Sequence, residues 1–245
     1  MYDPPAYLWA ITIAGPVAVA ALTCFVLYRG AERAGLGRRR AVLLGGAAAV
    51  VFGGWLAASA VIAGHGWYRT LPWFPLAAAG YLGVLLALGR IPVVARALAA
   101  PGMVSRLELP HAPRVVGVAF LLYLALGHLP PLFALPAGLG DITSGLAAPL
   151  VARRLTRGGG RRGALWFNAF GITDLVVALT LGALTGFHLL NVTPSSAAIT
   201  ALPLALIPTA TVPVFLALHL TAVSALLRAP RTRLPGTTAA AVAAS

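Results

Sequence analysis

Apolar positions run along this chain in long blocks, separated by short connections rich in arginine, glycine and proline. A helix needs about 20 apolar residues to cross ~30 Å of hydrocarbon. Seven such blocks are read, at 7–28, 41–64, 74–94, 115–129, 131–152, 164–187 and 206–227. The long run from 115 to 152 is divided at Leu129-Pro130-Pro131, because proline suits the first turn of a helix and disrupts an interior. The expected fold is all-α, a polytopic membrane protein of seven transmembrane helices over residues 1–228. Residues 229–245 are rich in Pro, Thr and Ala and read as a disordered cytoplasmic tail.

Composition agrees with this pattern. Charged residues make up 9% of the chain, against roughly 25% in a soluble domain, and hydrophobic residues 60%. The charge distribution then orients the bundle. All 18 basic residues are arginine, and 17 of them lie in alternate connections or the tail, against Arg69 alone in the others. Basic loops stay in the cytoplasm, so the N-terminus is expected outside and the C-terminus inside. The net charge of +13 therefore reads as orientation and contact with anionic lipid heads, not as nucleic-acid binding. The connection 90–114 reads as a broken helix at the cytoplasmic surface, with Leu107 and Leu109 in an interfacial position. Trp67, Tyr68 and Trp73 read as an interfacial aromatic belt at the outer ends of the second and third spans. The absence of lysine and the wealth of alanine and arginine suggest a high-GC genome, hence a bacterial plasma (inner) membrane.

Candidate chemistry comes from the residues that break the apolar pattern. An ionisable side chain at mid-membrane costs about 2.5–3.5 kcal/mol on insertion scales, so such groups mark a site or a buried packing partner. Asp141, Asp174 and His219 each fall well inside a span. At 1.5 Å per residue they lie roughly 15–20 Å below the outer surface, on three successive helices. Asp141, Ser144, Gly145 and Ala148 form one small polar face at helical spacing, and Asn168, Gly171, Asp174, Ala178, Gly182 and Thr185 form another. Glycines at 53, 54, 138, 140, 182 and 186 allow close helix contact.

Two carboxylates at one depth cannot both ionise cheaply, and a neighbouring imidazole could share their proton. The leading expectation is thus a small carrier or proton-linked membrane protein. Its substrate- or proton-binding residues would be Asp141, Asp174, His219, Asn168 and Ser144, and its ligand an unidentified small molecule or the proton itself. One alternative is a metal-dependent intramembrane hydrolase using His128, Asp141, Asp174 and His219, although no His-x-x-x-His pair occurs in any span. A structural or assembly subunit in which these groups only lock helices is the other. No cofactor is implied. Without lysine no retinal Schiff base can form, and a single cysteine, Cys24, excludes a thiolate metal cluster. No motif names a reaction.

Overall fold

The computed structural model describes residues 4–228, and the expected tail at 229–245 lies outside them. Every described element is helical. Two long helices, α1 (Ala6–Arg33) and α2 (Arg38–Gly64), are joined by a tight turn and pack side by side. They are followed by α3 (Trp73–Leu88), α4 (Pro92–Leu98), α5 (Met103–Leu107) and a 3-10 helix over Leu109–Gly117 that runs into α6 (Val118–Ala125). The last three long helices are α7 (Pro131–Thr156), α8 (Arg161–Gly186) and α9 (Val212–Arg228), the last entered through a π-helical turn at Ile207–Thr211.

Six helical stretches among the described residues are long and apolar enough to cross a membrane: α1, α2, Met103–Ala125, α7, α8 and Ile207–Arg228. Pro131 opens α7 at its first turn, as the sequence suggests. The third and fourth spans are drawn differently from expectation. The third does not continue to residue 94: α3 stops at Leu88 and the chain turns by 86° into α4. Proline disfavours α-geometry in the residue before it, and Ile91, before Pro92, is accordingly extended (φ −59°, ψ 129°).

The fourth span begins twelve residues earlier than expected, at Met103 rather than 115, and ends at Ala125 rather than 129. The expected surface connection is therefore partly interior. Leu107, Glu108 and His111 are fully buried and Arg114 nearly so. Polar and proline-rich composition suggested a broken helix at the surface, but here Glu108, His111 and Arg114 are turned into the bundle. Tyr68 also departs from the expected belt: it is buried, its hydroxyl 3.1 Å from Ser59 Oγ, while Trp67 and Trp73 stay exposed.

The apolar core forms two main clusters. One joins α1, α2, α3, α5 and α9 around Val19, Phe52, Tyr81, Met103 and Phe215. The other lies around Leu8, Tyr68, Phe120, Phe133 and Leu204. Large apolar side chains such as Val50, Leu146 and Trp166 point outward, as lipid contact requires. Gly53 and Gly54 face open space and mediate no close contact, whereas Gly182 lies under Ile199 and Phe133. The polar group described next sits where the 3-10 helix packs against α7 and α1, with side chains of α8 and α9 reaching it.

Candidate functional site

The 3-10 helix sets the register of this group. With three residues per turn, positions three apart eclipse, so Glu108, His111, Arg114 and Gly117 fall on one face. All four are buried. Runs this long are uncommon for 3-10 geometry; this one spans nine residues and includes Pro110 and Pro113.

Arg114 is the hub. Its side chain is wholly shielded, and its Nε donates to Asp141 Oδ1 on α7 at 2.7 Å. Its Nη2 donates to Asp174 Oδ2 on α8, and its Nη1 lies 3.3 Å from His219 Nε2 on α9. One planar guanidinium thus reaches three helices, which its fork of five donors allows and a lysine would not. The guanidinium carbon also lies 5.2 Å from the centre of the Phe215 ring.

Each of the three expected residues is seated over a glycine of the neighbouring segment. A Cβ at Gly117 would meet Asp141, one at Gly140 would meet Asp174, and one at Gly171 would meet His219. Small residues here let polar side chains lie between helices that are otherwise in backbone contact.

Asn168 completes the inner side. Its Nδ2 donates to Glu108 Oε1 and to the Ala164 carbonyl, both at 2.8 Å. With both amide protons engaged, Oδ1 is the acceptor for His219 Nδ1 at 2.8 Å. His219 therefore carries its proton on Nδ1, and its Nε2 lone pair faces Arg114. Above His219 lies His111, its ring stacked at 3.8 Å between centroids and 19° between planes. Phe167 and Phe215 enclose His111 further, at 5.7 and 5.3 Å.

Asp141, Asp174, His219 and Asn168, expected on sequence grounds to share a site, therefore belong to one connected network. Ser144 is buried one turn along α7, but its Oγ makes no hydrogen bond. Thr211 and Thr221 hydrogen-bond to nearby carbonyls and Thr209 to the Ala205 carbonyl and Ser59 Oγ, and none of the three takes part. The metal-capable atoms that converge are not the expected set. Among the described residues Glu108, His111 and His219 come within 4.8 Å of one another, without His128, Asp141 or Asp174. Both aspartates are engaged by Arg114, and His128 lies in the turn after α6.

Sequence reasoning missed Glu108, His111 and Arg114. The available signal was their spacing of three, which is legible only if 109–117 is taken as a 3-10 helix capped by Glu108 rather than as part of a broken surface helix.

No curated protein and no solved structure matches the chain. The model of a family described as a domain of unknown function, DUF8737, matches residues 71–227, a stretch that contains every residue of the buried network; the chain belongs to that family.

Proposed function

We propose that this protein is a proton-linked carrier of small solutes in a cytoplasmic membrane, with the Asp141–Arg114–Asp174 group as its proton-binding element. In this reading α3 crosses the bilayer as a short seventh span, α4 lies at the cytoplasmic interface, the N-terminus is outside and the C-terminus inside. Arg114 leaves the tally of basic connections but does not reverse its bias. The arginines at 38–40 and Arg162 then meet anionic lipid heads, while Arg161 holds the Leu226 carbonyl of α9.

The observation that carries the reading is one guanidinium bound to two carboxylates inside a membrane bundle. A single cation leaves one of two ionised carboxylates uncompensated, and uncompensated charge is expensive there. A proton on either aspartate balances the group and weakens its bond to Arg114. Because that bond joins the 3-10 helix to α7 and α8, proton binding changes how these helices hold together. The carboxylate side chains keep 13% and 8% of their surface exposed while Arg114 keeps none, so the protons arrive from the aspartate side. His219, oriented by Asn168, holds the guanidinium from behind, and the unpartnered Ser144 Oγ is a polar group for solute one turn from Asp141.

A pH jump applied to proteoliposomes on a solid-supported membrane measures proton binding without a known solute. The wild type is expected to give a transient charge displacement that Asp174→Asn, still folded in detergent, abolishes. No displacement in the wild type, or an undiminished one in Asp174→Asn, overturns the proposal. Loss of thermal stability without any change in charge displacement would instead identify a structural lock.

A further inference from the structure

Glu108, His111 and His219 have no exposed surface, and each offers a ligand atom within 4.8 Å of the other two. Three of the polar atoms in this group have no hydrogen-bond partner: Glu108 Oε2 and both ring nitrogens of His111. Roughly 90% or more of buried polar atoms are paired, so three orphans on residues one turn apart are a concentrated deficit. Nothing in the carrier reading uses them.

We propose that Glu108, His111 and His219 bind a divalent first-row transition-metal cation of the Zn²⁺ type. Two imidazoles and one carboxylate are the donors that such ions take, whereas Mg²⁺ and Ca²⁺ favour oxygen alone. Glu108 caps the 3-10 helix, His111 lies one turn along it and His219 is on α9, so the ion ties these two segments together.

The surroundings are built for it. Metal-bound histidines usually donate their second ring proton to a neighbouring acceptor, which fixes the tautomer. Asn168 Oδ1 accepts that proton from His219 Nδ1, and the same amide holds Glu108 Oε1 through Nδ2. One residue therefore orients two ligands and leaves Oε2 and Nε2 as their free donors. The present neighbour of Nε2 is Arg114 Nη1 at a long 3.3 Å, and the His219 ring must swing away from this contact for Nε2 to take the ion. Metal–ligand bonds of about 2.0–2.2 Å keep donors within roughly 4 Å of one another. The donors must therefore draw together and the His111 ring must turn out of its stack on His219, which no hydrogen bond of His111 opposes.

Charge points the same way. The chain has only five acidic residues, and three of them, Glu108, Asp141 and Asp174, belong to this network with Arg114 as the basic partner. Arg114 pairs with the two aspartates, which leaves Glu108 held by the neutral Asn168 amide, and a divalent cation offsets its charge.

The test is a titration of full-length protein, purified in detergent and stripped of metal, with Co²⁺ and then Zn²⁺. The wild type is expected to show ligand-field absorption saturating at one Co²⁺ per chain, displaced by Zn²⁺. Saturating Zn²⁺ is expected to raise the melting temperature by several degrees. His111→Phe keeps a ring against Phe167 and Phe215, and Glu108→Gln keeps the shape of the side chain. Both are expected to lose the absorption and the thermal shift, while His65→Ala, at the end of α2, keeps them. If His111→Phe does not fold, Glu108→Gln decides on the same readouts. Absence of both signals in folded wild type overturns the proposal, as does undiminished Co²⁺ binding in the Glu108 or His111 variant. Neither readout depends on proton movement, so this proposal and the carrier reading fail separately.

Discussion

Gly140 on α7 lies directly against the carboxylate of Asp174 on α8, so closely that a Cβ at position 140 would overlap Oδ1. Since Asp174 is held from its other side by Arg114, it cannot retreat without breaking that ion pair. Gly140→Ala should therefore behave as an overpacked core substitution, costing about 1–3 kcal/mol. Gly46→Ala on α2, where a Cβ meets nothing within 4 Å, should be neutral within about 0.5 kcal/mol. Thermal unfolding in detergent compares the two. Equal melting temperatures for both variants would show that α7 and α8 are not packed around the aspartate as described.

Arg114 should be the most sensitive residue in the chain. Removing one member of a buried ion group leaves unbalanced charge and typically costs about 3–5 kcal/mol. Arg114→Met leaves two carboxylates without their cation, so it should destabilise more than Asp141→Asn, which leaves the second ion pair standing. Adding Asp141→Asn and Asp174→Asn to Arg114→Met removes the stranded charge and should recover much of the loss. Chemical or thermal unfolding of the single and triple variants measures this. A triple variant no more stable than Arg114→Met would mean that packing, not charge, sets the cost.

The helical class and most span boundaries are legible in the sequence because lipid enforces a strong pattern: long, nearly uncharged blocks. So is the convergence of Asp141, Asp174, Asn168 and His219, since an ionisable group on an apolar helix has few places to go. What the pattern hides is the partner. Arg114, His111 and Glu108 stand among prolines and other arginines, where composition suggests a surface connection. Their burial depends on a 3-10 register that brings every third residue inward, and a search at helical period 3.6 averages it away. The bend between α3 and α4 was legible in principle, because Pro92 restricts Ile91, but the surrounding hydrophobicity continues across it.

The proposed orientation makes a prediction about access. In a Cys24→Ala background, cysteine placed at exposed Thr70, between α2 and α3, should react with a membrane-impermeant maleimide on intact cells. Cysteine at exposed Arg39, near the start of α2, should react only after the membrane is opened. The reverse labelling pattern would invert the topology and place the arginine-rich connections outside, against the charge bias.

Asn168 supports the network through two contacts, and its variants should separate them. Asn168→Leu removes the donor to Glu108 Oε1 and the acceptor for His219 Nδ1 together. A buried polar group left without its partner costs about 1–3 kcal/mol, so this substitution should lower stability by at least that much. Asn168→Asp keeps an acceptor for His219 but turns an oxygen toward Glu108, so it should fix the imidazole while disturbing the carboxylate. Nitrogen-15 NMR of labelled histidine distinguishes the two outcomes. The wild type and Asn168→Asp should show His219 protonated on Nδ1, and Asn168→Leu should show a mixture of tautomers. An unchanged His219 signal in Asn168→Leu would mean that Arg114, donating to Nε2, fixes the tautomer alone. Asn168 would then serve Glu108 only, and α8 would touch the His219 side of the network through the Gly171 contact rather than through a hydrogen bond.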